Sequence, residues 1–377
     1  MKAQPLVGIR VLDFSTLLPG PLATLMLAEA GAEVIKIERP GRGDEMRSYA
    51  PKFGADSVNF ALLNRGKRSI AIDLKDPLEV ERLLSLVRGA DVLVEQFRPG
   101  VMDRLGLGYE RLKSLNPRLV YCAITGYGQS GPRAQEAAHD LNYVAETGML
   151  GLAAGADGAP VLPMALVADI AGGAYPAVVN ILLALKAREL SNQGCKLDVA
   201  MTDNLFTFMY WAVGNGLAAG EWPKPGAELV TGGSPRYQIY RTAEDQFVAA
   251  APLEQKFWDN FCAAIGLDAS LLDDARDPAA ATRTVAERIR AQPASHWQAV
   301  FAGKDVCACV VKTVQEALAD PHFVERGLFA RRLAAYDGRQ IPALPVPIAA
   351  AFRAATIEAG YPSLGEGNAL LDARKPT

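Results

Sequence analysis

Two side chains in this sequence combine a chemically useful type with an unusual setting. His139 heads the polar cluster His139-Asp140-Leu141-Asn142-Tyr143, just before the chain turns apolar. Imidazole is the side chain best suited to proton transfer near neutral pH, so acid–base catalysis is open to it; a structural histidine is the ordinary alternative. Asp169 follows thirty residues later, inside an apolar run that ends in Gly172 and Gly173. Burial there would raise its pKa and leave a usable base or nucleophile. The same residue could cap the helix that follows, and both roles can hold at once, since helix N-termini also host reactive carboxylates. The other histidines, His296 and His322, sit in amphipathic patterns and read as surface residues. Cys307 and Cys309 lack a second cysteine pair or a nearby histidine, so no metal site is expected and both read as reduced core residues.

Three basic clusters fall near the ends of expected strands: Arg39, the pair Lys67-Arg68, and Arg98 with Arg104. In an open parallel sheet ligands bind at the carboxyl edge of the strands, so these cations could hold the phosphates of a nucleotide-containing substrate. Solvated surface charges are the competing reading. The first strand-to-helix turn, residues 15–20, has no G-x-G-x-x-G, and no P-loop is present, so a standard dinucleotide or nucleoside-triphosphate site is not indicated.

The elements that must position these groups follow from periodicity. Residues 9–14, 33–38, 69–74, 91–97 and 118–124 read as strands, and 21–30 and 77–88 as helices, with Gly31 ending the first. Each crossover is long enough for parallel pairing, which predicts an α/β fold with an open parallel sheet. Residues 165–190 and 198–213 read as buried helices, and Gly172-Gly173 as a point of close backbone approach. Residues 237–241 and 246–251 read as a hairpin, and 256–265 and 281–290 as helices. The expected organisation is a large domain over 1–200, a linker region over 201–225, a small α+β domain over 226–312, and a return of 313–377 to the large domain.

Composition narrows the classes. The 377 residues carry 39 basic and 42 acidic side chains, a net charge of −3, which argues against a nucleic-acid partner. No uninterrupted apolar run of bilayer length is apparent, and residues 1–5 carry no apolar signal core, so a cytoplasmic enzyme without a membrane partner is expected.

Longer segments carry a specific resemblance. Residues 11–15, 19–21 and 31–40, then 64–69, 94–100, 125–132, 194–203 and 320–327, occur in the order and spacing of the family III CoA-transferases (the CaiB/BaiF family), which also contain the α-methylacyl-CoA racemases. The resemblance implies an interlocked homodimer. In it, a Rossmann-like domain built from both termini binds CoA and faces the small domain of the partner. Its CoA contacts would be Arg39, Leu74, Lys75, Gln96, Phe97, Arg98 and Arg104, with the acyl-CoA thioester as substrate and no further cofactor. In the transferase branch the residue matching Asp169 is a nucleophile that attacks the thioester; in the racemase branch it is a base.

Residues 138–143 resemble the racemase motif G-H-D-[IL]-N-Y, and 251–258 resemble the racemase segment A-[IL]-E-P-[QK]-F. Ala138 and Gln255 replace a glycine and a proline of those motifs. The racemase resemblance implies His139, Asp169 and Glu254 as the catalytic set, with Glu254 orienting the histidine. Inverting a carbon α to a thioester needs bases on opposite faces and a stabilised enolate. A backbone N–H near the start of the Asp169 helix is the expected oxyanion donor. Met149, Met164, Met201 and Met209 are candidates for a compliant acyl surface, with core packing as the alternative for each.

Overall fold

The computed structural model describes residues 4–155, 157–354 and 358–372. The chain forms two compact units: Met1–Val144, Met164–Phe208 and Pro321–Thr377 in the first, Ala145–Pro163 and Met209–Asp320 in the second.

The first unit is organised by six parallel strands. Their order is Arg68–Ala71, Glu33–Glu38, Arg10–Asp13, Val92–Glu95, Val120–Thr125, Lys196–Ala200. Numbered along the chain this is 3-2-1-4-5-6, the doubly wound dinucleotide-fold order. The two strands Val92–Glu95 and Val120–Thr125 are buried at every residue, because helices cover both faces of such a sheet. The strand order reverses between Arg10–Asp13 and Val92–Glu95, so the loops leaving their carboxyl ends diverge and open a crevice.

The C-terminal segment returns to this unit through specific contacts. Arg332–Ala334 pairs with Gln340–Pro342 and with Glu358–Gly360. Arg47 donates to the Pro362 carbonyl at 3.1 Å, and the Asn368 side-chain oxygen accepts the Ala71 N–H at 2.8 Å.

The second unit holds a three-stranded antiparallel sheet, in the order Ala308–Val310, Phe247–Ala250, Gln238–Arg241. The helices Gln255–Ala264, Pro278–Arg290 and Ala294–Phe301 pack a core of Trp258, Phe261, Val285, Ile289 and Trp297 onto it.

Several sequence expectations need revision. Residues 196–200 form the sixth strand, and the helix expected over 198–213 is a short helix Met201–Leu205, a 3-10 turn and a second helix Tyr210–Ala219. Five consecutive strand pairings with 121–125 outweigh the helical pattern there. The supposed linker 201–225 is therefore largely helical. Residues 145–163 belong to the second unit, where the Leu152 carbonyl accepts the Gly226 N–H at 3.0 Å.

For the helix expected over 165–190, the structure has a continuous helix Ala168–Ser191, but Tyr175, Val179, Leu182, Leu183 and Leu190 remain exposed along it. By length and composition alone, Ala168–Ser191 is long and apolar enough to cross a bilayer, contrary to the expectation that no such stretch exists. Cys307 and Cys309 are exposed, not core, residues. Lys67 is neither a phosphate ligand nor a surface charge: it is fully buried and paired with Asp13 at 3.1 Å. Met1–Ala3 of the N-terminal signal reading lie outside the described residues.

Candidate active site

A cavity of about 360 Å³ opens at the sheet's topological switch point. His139 and Asp169 both line it, together with Gln96, Phe97 and Arg98. Its walls come from the carboxyl ends of three strands: the loop after Arg10–Asp13 supplies Leu17 and Pro19, that after Val92–Glu95 supplies residues 96–99, and the end of Val120–Thr125 supplies Thr125 and Gly126.

Buried charges hold the first of these loops. Lys36 pairs with Asp44 at 3.0 Å and donates to the Ser15 carbonyl at 2.8 Å. The Asp44 carboxylate accepts the Leu17 N–H at 3.2 Å, fixing Leu17 at φ 61°, a conformation uncommon outside glycine. Lys67 lies within 3.1 Å of Asp13, Thr24, Asn64 and the Pro21 carbonyl. Burial would raise the Asp13 pKa, but Lys67 and Lys36, with hydrogen bonds from Ser15 and Thr24, outweigh it and hold the group at about 2. Burial draws Lys67 down to about 8 against the opposing pull of Asp13.

Asp169 stands in a π-helical turn, Ala168–Ala174, that leads into the helix Tyr175–Ser191. Gly172 and Gly173 allow that turn to lie against residue 201: a Cβ on Gly172 would sit 2.5 Å from the Met201 carbonyl oxygen. Burial, and then the neighbouring Asp140, push the Asp169 carboxyl up to about 7.

Asp140 is the residue whose role the sequence did not disclose. It is buried, and its carboxylate accepts the N–H of Asp169 at 2.9 Å. The Ile170 N–H donates to the Leu166 carbonyl at 3.1 Å. The N–H groups of Asp169 and Ile170 are thus already committed, since a carboxylate is a strong acceptor for exposed helix N–H groups. Thr125, by contrast, has a buried hydroxyl without a hydrogen-bond partner at the cavity's edge.

His139 precedes the helix Asp140–Glu146 and is exposed. Its N–H donates to the Asn142 side-chain oxygen at 3.1 Å, and its carbonyl accepts the Asn142 N–H at 2.9 Å. This reciprocal pair fixes the backbone from which the imidazole projects.

The remaining expected CoA contacts do not line this cavity. Arg39 is exposed, lies 3.9 Å from Glu45 and borders a separate cavity with Arg42, Arg47 and Lys52. Leu74 packs on the sheet core, and Lys75 and Arg104 are exposed. All of them nevertheless follow the carboxyl ends of parallel strands. Of the methionines, Met201 is buried and lines the cavity, Met209 is buried, Met149 is half-buried and Met164 is fully exposed. Glu254 lies in the second unit, exposed, at the N-cap position of the helix Gln255–Ala264 and without a capping bond from its side chain.

The model of CoA-transferase family III matches residues 6–368. The chain belongs to that family. Mouse alpha-methylacyl-CoA racemase is 34% identical over 95% of this chain and 90% of its own length. The acetyl-CoA:oxalate CoA-transferase of Acetobacter aceti is also 34% identical, over 91% of this chain and 89% of its own. A CaiB/BaiF family protein from Brucella suis has a solved structure that superposes with a TM-score of 0.83 at 30% identity, covering 98% of both chains. Family III membership therefore makes the chain an enzyme of acyl-CoA metabolism, within a family that contains both isomerases and CoA-transferases at similar distance from it.

The raised Asp169 pKa carries a stability consequence. Its folded-state value of about 7 lies above the unfolded carboxylate value, so the native state holds the extra proton between about pH 4 and 7; stability falls as pH rises through that window and levels off above it. Asp169→Asn removes this penalty. Relative to the parent its gain should be larger at pH 8.5 than at pH 5, by about 2–3 kcal/mol, because the penalty grows from about pH 4 upward and is complete by about pH 7. Chemical denaturation at the two pH values measures the difference; an equal effect at both would contradict the shift.

Proposed function

We propose that this family III enzyme epimerises 2-methylacyl-CoA thioesters, with His139 and Asp169 as the two bases. The observation that carries the reading is that one cavity is lined by both groups and by the 96–98 turn. Proton abstraction α to a thioester produces a planar enolate; inversion then requires the proton to be returned from the opposite face. A carboxyl group with a pKa near 7 is matched to both halves of that exchange, since it is a stronger base than an ordinary carboxylate and remains a usable acid. Imidazole is matched in the same way. Gln96, Phe97 and Arg98 hold the CoA portion, with Arg39, Leu74, Lys75 and Arg104 contacting the more distant parts of the nucleotide.

The competing reading is transfer of CoA between carboxylic acids, with Asp169 attacking the thioester carbonyl and CoA leaving as thiolate. The 34% identity to a CoA-transferase favours it specifically, as does the fact that a carboxylate at position 169 serves either chemistry. His139 argues for epimerisation, since a nucleophilic carboxylate has no need of a second base.

The third group, Glu254, would come from a second copy of the chain and hold the imidazole of His139. The exposed apolar side chains Tyr175, Val179, Leu182, Leu183 and Leu190 on one helix support a homodimer, because a second copy would remove them from water. The proposed dimer is interlocked, so folding and association form one transition.

Incubating one enantiomer of a 2-methylacyl-CoA in D₂O should place deuterium at the α-carbon of both enantiomers. Absence of exchange across a panel of branched acyl-CoAs, with a hydroxylamine-trappable acyl group on Asp169, would establish the transferase instead. Co-refolding inactive Asp169→Ala with inactive Glu254→Ala should restore part of the activity, because some heterodimers then carry one intact site. No recovery in heterodimers shown to form by mass spectrometry would place Glu254 outside the shared site.

A further inference from the structure

Glu95 is a buried carboxylate that the chemistry above does not use. It ends the strand Val92–Glu95 and is 4% exposed. One of its oxygens accepts the Phe97 N–H at 2.7 Å; the Tyr121 hydroxyl donates to the other at 3.5 Å. The turn so closed is Gln96–Phe97–Arg98, which lines the His139/Asp169 cavity. Gln96 extends the same construction across the switch point by accepting the Gly20 N–H at 3.1 Å.

A buried carboxylate is costly, and a packing role alone would be met by an apolar side chain. The groups facing Glu95 are Tyr121 and Cys122 on the neighbouring strand, Lys196 on the strand beyond, and Asp103 on the short helix Val101–Arg104. Only Lys196 among them is a cation. Burial raises the carboxyl to about 7, against the lowering effects of the Phe97 N–H and Lys196. The group is therefore within reach of protonation near neutrality, and its bond to Phe97 is strongest when it is ionised.

We propose that Glu95 is the positioning residue of the CoA-facing turn: by accepting the Phe97 N–H it fixes Gln96, Phe97 and Arg98 in the geometry that receives the thioester arm of CoA. The inference rests on the acyl-CoA reading of the cavity. Glu95 touches neither substrate nor reacting atoms; it acts through the turn.

Calorimetric titration of free CoA into the full-length protein, Glu95→Ala and Glu95→Gln, each from pH 6 to 8.5, tests it. Glu95→Ala loses the acceptor and should weaken CoA binding about tenfold at pH 8. Glu95→Gln keeps a carbonyl acceptor and should recover most of that loss. The parent's affinity should fall as pH drops through about 7, and fall more steeply than that of Glu95→Gln, which retains every other titrating group. Unchanged CoA affinity in Glu95→Ala would overturn the proposal. So would equal weakening in Ala and Gln variants with matching losses of thermal stability, which would mark a packing role. A parent protein that binds no CoA at any pH would instead overturn the acyl-CoA reading, and this inference with it.

Discussion

The carboxylate of Asp140 accepts the N–H of Asp169, and the active-site geometry depends on that contact. It fixes where the helix Tyr175–Ser191 and its π-helical entry begin, and hence where Asp169 stands. It also ties the two candidate bases together, since Asp140 is the chain neighbour of His139 and accepts the Asp169 N–H. The same charge contributes to raising the Asp169 pKa. One side chain thus performs the capping expected of a helix N-terminus and tunes the acid beside it. π-helical turns recur at functional sites because the extra residue reorients a side chain that a regular helix would direct elsewhere.

Around this contact the parallel sheet supplies the rest. Its strand order diverges between the first and fourth strands, and the cavity lies where the divergence opens. In dinucleotide enzymes a glycine-rich turn would occupy the first loop. Here the loop is held by charge: Lys36, Asp44 and the strained Leu17 on one side, Asp13 and Lys67 on the other. Such pairs are expensive to desolvate, and each depends on its hydrogen-bonded partners to remain favourable. Their presence explains why Lys36 and Lys67, although near strand ends, are occupied within the protein.

Much of the fold was legible in the sequence. The buried strands announce themselves as short apolar runs, and the hairpin over 238–250 by alternation around a polar tip. The sixth strand was not legible, because residues 196–200 pass directly into a helix and their strand identity depends on pairing with residues 121–125. The site was legible in part. His139 and Asp169 stood out by type and setting, and the resemblance gave their roles. Asp140 and Glu95 were invisible as functional groups, since each works through backbone N–H groups whose position only the folded chain provides. Lys67 illustrates the opposite error: a lysine near a strand suggests a ligand, yet four local acceptors had already claimed it.

The central claim is that His139 and Asp169 serve opposite faces of one enolate. The most direct measurement is α-proton exchange in D₂O, followed separately for each pure enantiomer, in His139→Ala and in Asp169→Asn. A two-base site predicts that each variant loses interconversion but still exchanges the α-proton of one enantiomer, and that the two variants retain opposite enantiomers. Loss of exchange from both enantiomers in Asp169→Asn, with full activity preserved in His139→Ala, would contradict the account.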